Sequence, residues 1–132
     1  ADRVEALAAR AETLATEPRH RGRWPAITAR AVTSVAELVE LGLPLLVPGG
    51  MLVAWKRGET DSPTGLGAEI AAARHALAAI DPGARLEVEP AIPAEAPLVE
   101  LAGHRLVIVT RGPAPIDWAW PRDPAARRRR PW

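Results

Sequence analysis

Residues 28–57 read TARAVTSVAELVELGLPLLVPGGMLVAWKR, and their order of strand, loop, helix, turn and strand decides the fold. Ala26-Ile27-Thr28-Ala29 is short and apolar, as a buried strand requires, and it runs into Arg30. Ser34 with Glu37 has the spacing of a capping box, in which the hydroxyl accepts a first-turn N–H and the carboxylate reaches back. Leu38, Leu41, Leu45 and Leu46 recur at helical spacing and predict a helix over 35–46 with one apolar stripe. Pro48-Gly49-Gly50 reads as the helix stop, since proline cannot continue a helix and glycine accepts positive φ. Met51 to Trp55 is the second strand, uncharged until Lys56. A strand, a crossover helix and a second strand close right-handed into a parallel pair, which predicts an α/β sheet covered on both faces. In such sheets ligands sit beyond the carboxyl ends of the strands, where Arg30 and Lys56 emerge.

Upstream, residues 2–17 place Val4, Leu7, Ala8, Ala11, Leu14 and Ala15 at helical spacing, and the alanine content favours one continuous helix ended by Pro18. Arg19-His20-Arg21-Gly22-Arg23 then reads as a solvated polar connector, with RNA contact as the alternative. Downstream, Gly, Thr, Asp, Ser and Pro make residues 58–67 a loop. A helix over 66–80 follows, with Leu66, Ile70, Ala73, Leu77 and Ile80 on one face and Asp81-Pro82-Gly83 as its stop. Arg85 to Glu89 alternates charged and apolar, the pattern of a strand with one wet face. After a proline-rich connector over 90–97, residues 98–101 and 105–110 predict a hairpin-like return with 106–109 buried, so the strands near 85–89 and 105–110 form an antiparallel end. The tail after Pro113 is rich in Pro and Arg, and is expected to pack only through its tryptophans.

A chain of 132 residues holds one small domain, near the lower limit for an open α/β sheet. Net charge is only +1, but from Ala119 onward five arginines and one aspartate give +4, leaving −3 for the rest. Arginine supplies 16 of the 17 basic residues, which reads as coding bias before it reads as function. The absence of cysteine excludes disulfides, thiol catalysis and Cys-ligated metal. No basic-then-apolar leader and no apolar run of membrane length occurs, so a cytoplasmic protein without a membrane partner is expected. His20, His75 and His104 lack metal-ligand spacing, and no metal is expected; His75 reads as solvated. No Ser or Thr has a partnering His that would support nucleophilic catalysis.

Four features carry chemistry. Arg30 is either a fixed cation with planar bidentate donors for a cofactor or phosphate, or a surface arginine closing a strand. Lys56 either meets an RNA phosphate or base, or simply ends its strand. Arg127 to Arg130, flanked by Trp120 and Trp132, combine phosphate-neutralising charge with stacking surfaces, the pairing used for single-stranded nucleic acid; the alternative is a solvated basic end. Arg111 and Arg122 join them as candidate RNA contacts.

T-A-R-A-V at 28–32, the leucine-rich helix, P-G-G at 48–50 and the apolar strand ending in Lys56 resemble the RsmG (GidB) family. Its members are bacterial methyltransferases that use S-adenosylmethionine to methylate N7 of a guanine in small-subunit ribosomal RNA. Arg10-Ala11-Glu12 resembles the family's R-A-E, where a strand precedes and a helix follows. Trp120-Pro121-Arg122 through Arg129, Pro131 and Trp132 resembles its closing Y-P-R-R-x-G-x-P-x-K-x-P-L. The segments occur in order along nearly the whole chain. The resemblance implies a partial Rossmann-like class I methyltransferase sheet, mostly parallel with an antiparallel end, over 1–118, and a basic Trp/Arg tail over 119–132. It implies S-adenosyl-L-methionine as cofactor, held by Ala11, Glu12 and Arg30. It implies small-subunit ribosomal RNA or the 30S particle as partner, contacted by Lys56, Arg111, Arg122, Arg127, Arg128, Arg129 and Arg130, and it assigns no catalytic residue. Two departures stand out: the family's G-x-G-x-G-F-P-G-like loop upstream of R-A-E is missing, and Pro25-Ala26 replaces the aspartate before V-T-x-R-A. The chain therefore resembles the second half of the fold. Two functions stay open: part of a ribosomal RNA methyltransferase that needs the other half, or a non-catalytic RNA-binding α/β module using its arginine-rich tail. An in-frame strand and G-x-G loop upstream would favour the first, and a genuine start at Ala1 the second.

Overall fold

A computed structural model of the chain describes residues 4–30, 33–91 and 103–132. In chain order the elements are α1 (Ala11–Thr16), β1 (Trp24–Arg30), α2 (Val35–Gly42), a single 3-10 turn (Leu43–Leu45), β2 (Leu46–Arg57), α3 (Gly65–Ile80), β3 (Arg85–Pro90), β4 (His104–Thr110) and α4 (Pro124–Arg129). The sheet runs β1-β2-β4-β3. β1 and β2 are parallel and joined through α2, as residues 28–57 predict. β4 is antiparallel to both β2 and β3. Three strands thus run one way, with β4 inserted against them. The α/β class holds, but the sheet is less parallel than expected, with one parallel pairing among the described strands. The crossover through α3 carries the chain past one strand position, and the return from β3 fills it.

Ser34 caps α2, its hydroxyl accepting the Glu37 N–H at 3.2 Å. The Glu37 carboxylate takes the Thr33 hydroxyl instead of completing the box. The helix buries Val35, Ala36 and Val39, with Leu43 just beyond it, whereas Leu38 and Leu41 of the expected stripe are only half-buried. It is shorter than predicted because Pro44 has no N–H to extend it, so Leu45 and Leu46 leave the helical period. Pro48-Gly49-Gly50 lies inside β2 and ends no helix. Trp24 pairs with Leu46 but Ala26 with Met51, so the run is a bulge. Gly49 sits at φ 79°, and a Cβ on Gly50 would lie 2.9 Å from the Val47 carbonyl oxygen, so both positions require glycine. The bulge is pinned by two main-chain bonds, Gly49 N–H to the Arg111 carbonyl at 3.0 Å and Arg111 N–H to the Gly50 carbonyl at 2.9 Å.

The α3 prediction holds, and Leu66, Ile70, Ala73, Leu77 and Ile80 are its buried face. With α2 they pack on Leu52, Ala54, Leu86, Val107 and Val109 of the sheet, each Leu, Ile or Val among them contributing roughly 1.5–3 kcal/mol on burial. Alternate strand residues point to the other face. There Thr28 and Met51 are exposed, and Val53, Trp55, Leu106 and Ile108 are half-buried. The described helices thus cover one face where two were expected, and β1 is a largely exposed edge strand instead of a buried one.

The continuous helix expected over 2–17 shrinks to Ala11–Thr16. Val4 is 84% and Leu7 52% exposed; without a surface to pack on, a short helix is marginal in water. Arg10 is extended, so the helix begins at Ala11, as in the resembled R-A-E pattern. The connector is no loose loop, because the Arg21 guanidinium donates to the carbonyls of Ala15, Trp120, Ile116 and Asp117 at 2.7–3.1 Å. Asp81 is buried and accepts the Gly112 N–H at 2.9 Å, so it braces β4 as well as ending α3. The hairpin arm expected over 98–101 lies outside the described residues. Among the described residues, no helix is long and apolar enough to cross a membrane.

Candidate functional site

At the carboxyl end of the parallel pair, Arg30 is exposed and lies in register with Trp55, its guanidinium 5.4 Å from the indole centroid. Thr28, Ala29, Arg30, Val53, Trp55 and Leu106 line a cavity of about 240 Å³ on the face that no described helix covers. The Trp55 indole N–H donates to His104 Nδ1 at 2.7 Å. Lys56, one residue on, turns to the other face. Its ammonium donates to the Thr33 carbonyl at 2.7 Å and pairs with Glu69 at 2.7 Å, and it is 12% exposed. Glu69 also accepts the Val35 N–H at 3.2 Å. Lys56 therefore braces the start of α2 against α3 and does not face solvent for a phosphate.

A second constellation lies between α2 and the tail. Glu40 is fully buried. It accepts the Arg122 backbone N–H at 2.8 Å, Arg122 Nε at 2.9 Å, Nη2 at 2.8 Å and the Trp132 indole at 2.9 Å. The Arg122 guanidinium also lies 4.7 Å from the Trp132 ring centroid. Burial alone would push the Glu40 carboxyl up, but the Arg122 hydrogen bonds, the Trp132 donor and the guanidinium charge together hold it below the usual carboxylate range. The side-chain hydrogen bonds that Arg122 donates to Glu40 raise the pKa of Arg122. Arg127 approaches Glu37 at 3.3 Å and Glu12 at 3.6 Å. Asp123 caps α4 through the Ala126 N–H at 2.8 Å, and that bond lowers its pKa. The tail, expected to pack only through its tryptophans, is thus held by buried ionic bonds as well.

These placements sort the expected residues. Arg111 is 8% exposed and donates through Nη1 to the Leu46 carbonyl and through Nη2 to that of Ala114 at 3.4 Å; burial lowers its pKa. It braces the start of β2 against the segment after β4. Arg122 and Arg127 are committed to carboxylates, while Arg128, Arg129 and Arg130 are exposed. Ala11 opens α1, and Glu12 lines a cavity with Pro121 and Arg122 that shares no residue with the cavity at Arg30. The structure brings Glu12 to the tail arginines and leaves Arg30 apart. Sequence reasoning missed Glu40, Arg21, Trp55 and His104. Glu40 carried one signal: it falls among Ala36, Val39 and Leu43 on the buried side of α2, where an unpaired carboxylate is costly. Among the described residues no group of three or more His, Cys, Asp or Glu could hold a metal ion.

No protein-family model matches the chain. It is similar to ribosomal RNA small subunit methyltransferase G of Roseiflexus castenholzii, 38% identical over 128 residues, 97% of this chain and 49% of that protein. The protein of the same name in Chloroflexus aggregans is 39% identical over 130 residues, 97% of this chain and 48% of its own length. That of Deinococcus deserti is 51% identical over 53 residues, 40% of this chain and 22% of its own length. The fold and these relatives define the chain as a mixed α/β homologue of ribosomal RNA methyltransferases. Within that class its relatives are those of the RsmG (GidB) family, and it spans about half the length of the curated relatives that it matches along 97% of its residues.

Proposed function

We propose that this chain is the RNA-facing part of an S-adenosylmethionine-dependent, Rossmann-like methyltransferase, which as a whole methylates guanine N7 in small-subunit ribosomal RNA in the cytoplasm. The observation that carries this reading is the 38% identity along 97% of the chain to a protein named for that RNA. Geometry supports it in two places. The parallel unit presents Arg30 at the carboxyl edge, where open α/β sheets bind ligands. Arg128, Arg129 and Arg130 are exposed, as phosphate contacts must be.

The described residues do not by themselves fit the cofactor. The Glu12 carboxylate is engaged by Arg127 at 3.6 Å and Arg10 at 3.7 Å, and Arg30 lines a different cavity. β2 ends at Arg57 and Gly65-Leu66-Gly67 opens α3, so the described residues carry no G-x-G turn directly after a strand, the kind that lets a backbone approach a nucleotide closely. On this reading the half of the relatives that the chain does not match supplies that loop. A second reading, an RNA-binding module without catalysis, is favoured by the exposed arginines alone, since they need no cofactor.

The test is a chimera in which this chain replaces the matching half of the R. castenholzii protein. Transfer of labelled methyl groups from S-adenosylmethionine to RNA in 30S particles is expected. A folded chimera that binds the RNA but transfers nothing, while the parent protein does, would favour the module.

A further inference from the structure

Trp55 is a large aromatic side chain left half-buried on the sheet face that no described helix covers. Leu106 lies beside it in register on β4 and Arg30 on β1. Its plane is fixed, because the indole N–H donates to His104 Nδ1 at 2.7 Å and the two rings meet edge to face at 67°. That bond needs Nδ1 as acceptor, so the neutral imidazole carries its proton on Nε2. The adjoining cavity of about 240 Å³ has an apolar floor, one hydroxyl from Thr28 and one cation from Arg30. It is smaller than the roughly 300–1,000 Å³ of sites for drug-sized ligands, which suits a single base better than a whole cofactor. Arg30 is exposed and makes no hydrogen bond or ion pair to another described residue, so its guanidinium can pivot from the indole to a phosphate.

We propose that Trp55 is the stacking platform for a purine nucleotide, with Arg30 binding the phosphate and His104 acting as the positioning residue that holds the indole. That the nucleotide is an RNA guanine rests on the methyltransferase reading above; the stacking site itself does not. The adenosine of the cofactor is also a purine, but it carries no phosphate for Arg30.

The test follows the ¹⁵N indole signals of the 132-residue chain, assigned by single Trp→Phe substitutions. Guanosine monophosphate is expected to shift the Trp55 signal, and guanosine to bind at least about fivefold more weakly for want of a charge-assisted phosphate contact. S-adenosylhomocysteine, which carries a purine nucleoside but no phosphate, is expected to bind no more tightly than guanosine. Trp55→Leu should abolish the binding. His104→Leu should weaken it about tenfold, within the range of base–aromatic stacking, with melting and circular dichroism unchanged, and His104→Gln, which keeps an acceptor, should restore it. No response of Trp55 to millimolar guanosine monophosphate, equal binding of guanosine, or a stronger response to S-adenosylhomocysteine would each overturn the proposal. If the chimera methylates RNA and Trp55→Leu leaves its KM unchanged, the proposal fails and the methyltransferase reading stands. If guanosine monophosphate binds at Trp55 and the chimera transfers no methyl group, that reading fails and the purine site stands.

Discussion

Glu40→Gln is expected to destabilise the chain and release its tail. The wild-type carboxylate is fully buried and accepts four hydrogen bonds, three from Arg122 and one from Trp132. Glutamine keeps the shape but removes the charge and turns one acceptor oxygen into a donor facing the guanidinium. Removing one partner of a buried ion pair costs about 3–5 kcal/mol. The Arg122 side chain is 20% exposed and regains some hydration, which places the expected loss near the lower end, at about 3 kcal/mol. Urea unfolding followed by tryptophan fluorescence measures it at neutral pH, and trypsin cleavage after Arg127, Arg128 and Arg129 should accelerate in parallel. A loss below about 1 kcal/mol would put the pair with ordinary surface ion pairs and refute the claim that Glu40 anchors the tail. The pH dependence has a definite sign. The folded-state pKa of Glu40 is depressed, so its stabilisation is fully present above the ordinary carboxylate range and is lost as pH falls through the folded value. The gap between wild type and Glu40→Gln should therefore narrow on acidification below that range.

Deleting residues 119–132 should lower stability at least as much as Glu40→Gln, since it also removes Trp120 and Trp132 from the core edge; a truncated chain that melts like the full one would contradict this. Replacing Arg128, Arg129 and Arg130 by alanine should leave stability within about 0.5 kcal/mol. The same change should flatten the salt dependence of single-stranded RNA binding by a slope of about 2, roughly 0.7 per phosphate, and filter binding at several salt concentrations would show an unchanged slope if these arginines are only solvated. Isothermal titration of the 132-residue chain with S-adenosylmethionine should give no micromolar dissociation constant, because the chain lacks the glycine-rich cradle; a micromolar value would show that the cradle is dispensable.

The legible part of the fold was the part decided locally. Leu66 to Ile80 carries its own period, and a capping serine before a crossover helix implies the parallel pair whatever follows. Pro48-Gly49-Gly50 was not decidable in this way. The same three residues serve as a helix stop or as a strand bulge, and the main chain of Arg111, far along the sequence, makes the choice. The length of α2 was misread because Pro44 ends it before the leucines that seemed to complete its stripe. Arg30 and Lys56 were both placed at strand ends, but the pleat sends successive side chains to opposite faces: Arg30 pairs in register with Trp55, and Lys56 faces Glu69. Partners 82 to 99 residues apart decide the roles of Glu40, Arg122 and Arg21, and no local pattern announces such pairs. Those bonds make an arginine-rich tail, all five arginines of which read as candidate RNA contacts, a structural strap with three arginines left exposed.

The most direct measurement is nucleoside analysis of RNA from 30S particles treated with the chimera and S-adenosylmethionine, with Arg30→Ala alongside. The expected result is 7-methylguanosine in the small-subunit RNA from the unaltered chimera, and at least about a tenfold lower yield from Arg30→Ala with stability changed by less than about 0.5 kcal/mol. No 7-methylguanosine from a chimera that folds and binds the particle, under conditions where the R. castenholzii protein produces it, would contradict the proposal that this chain takes part in RNA methylation.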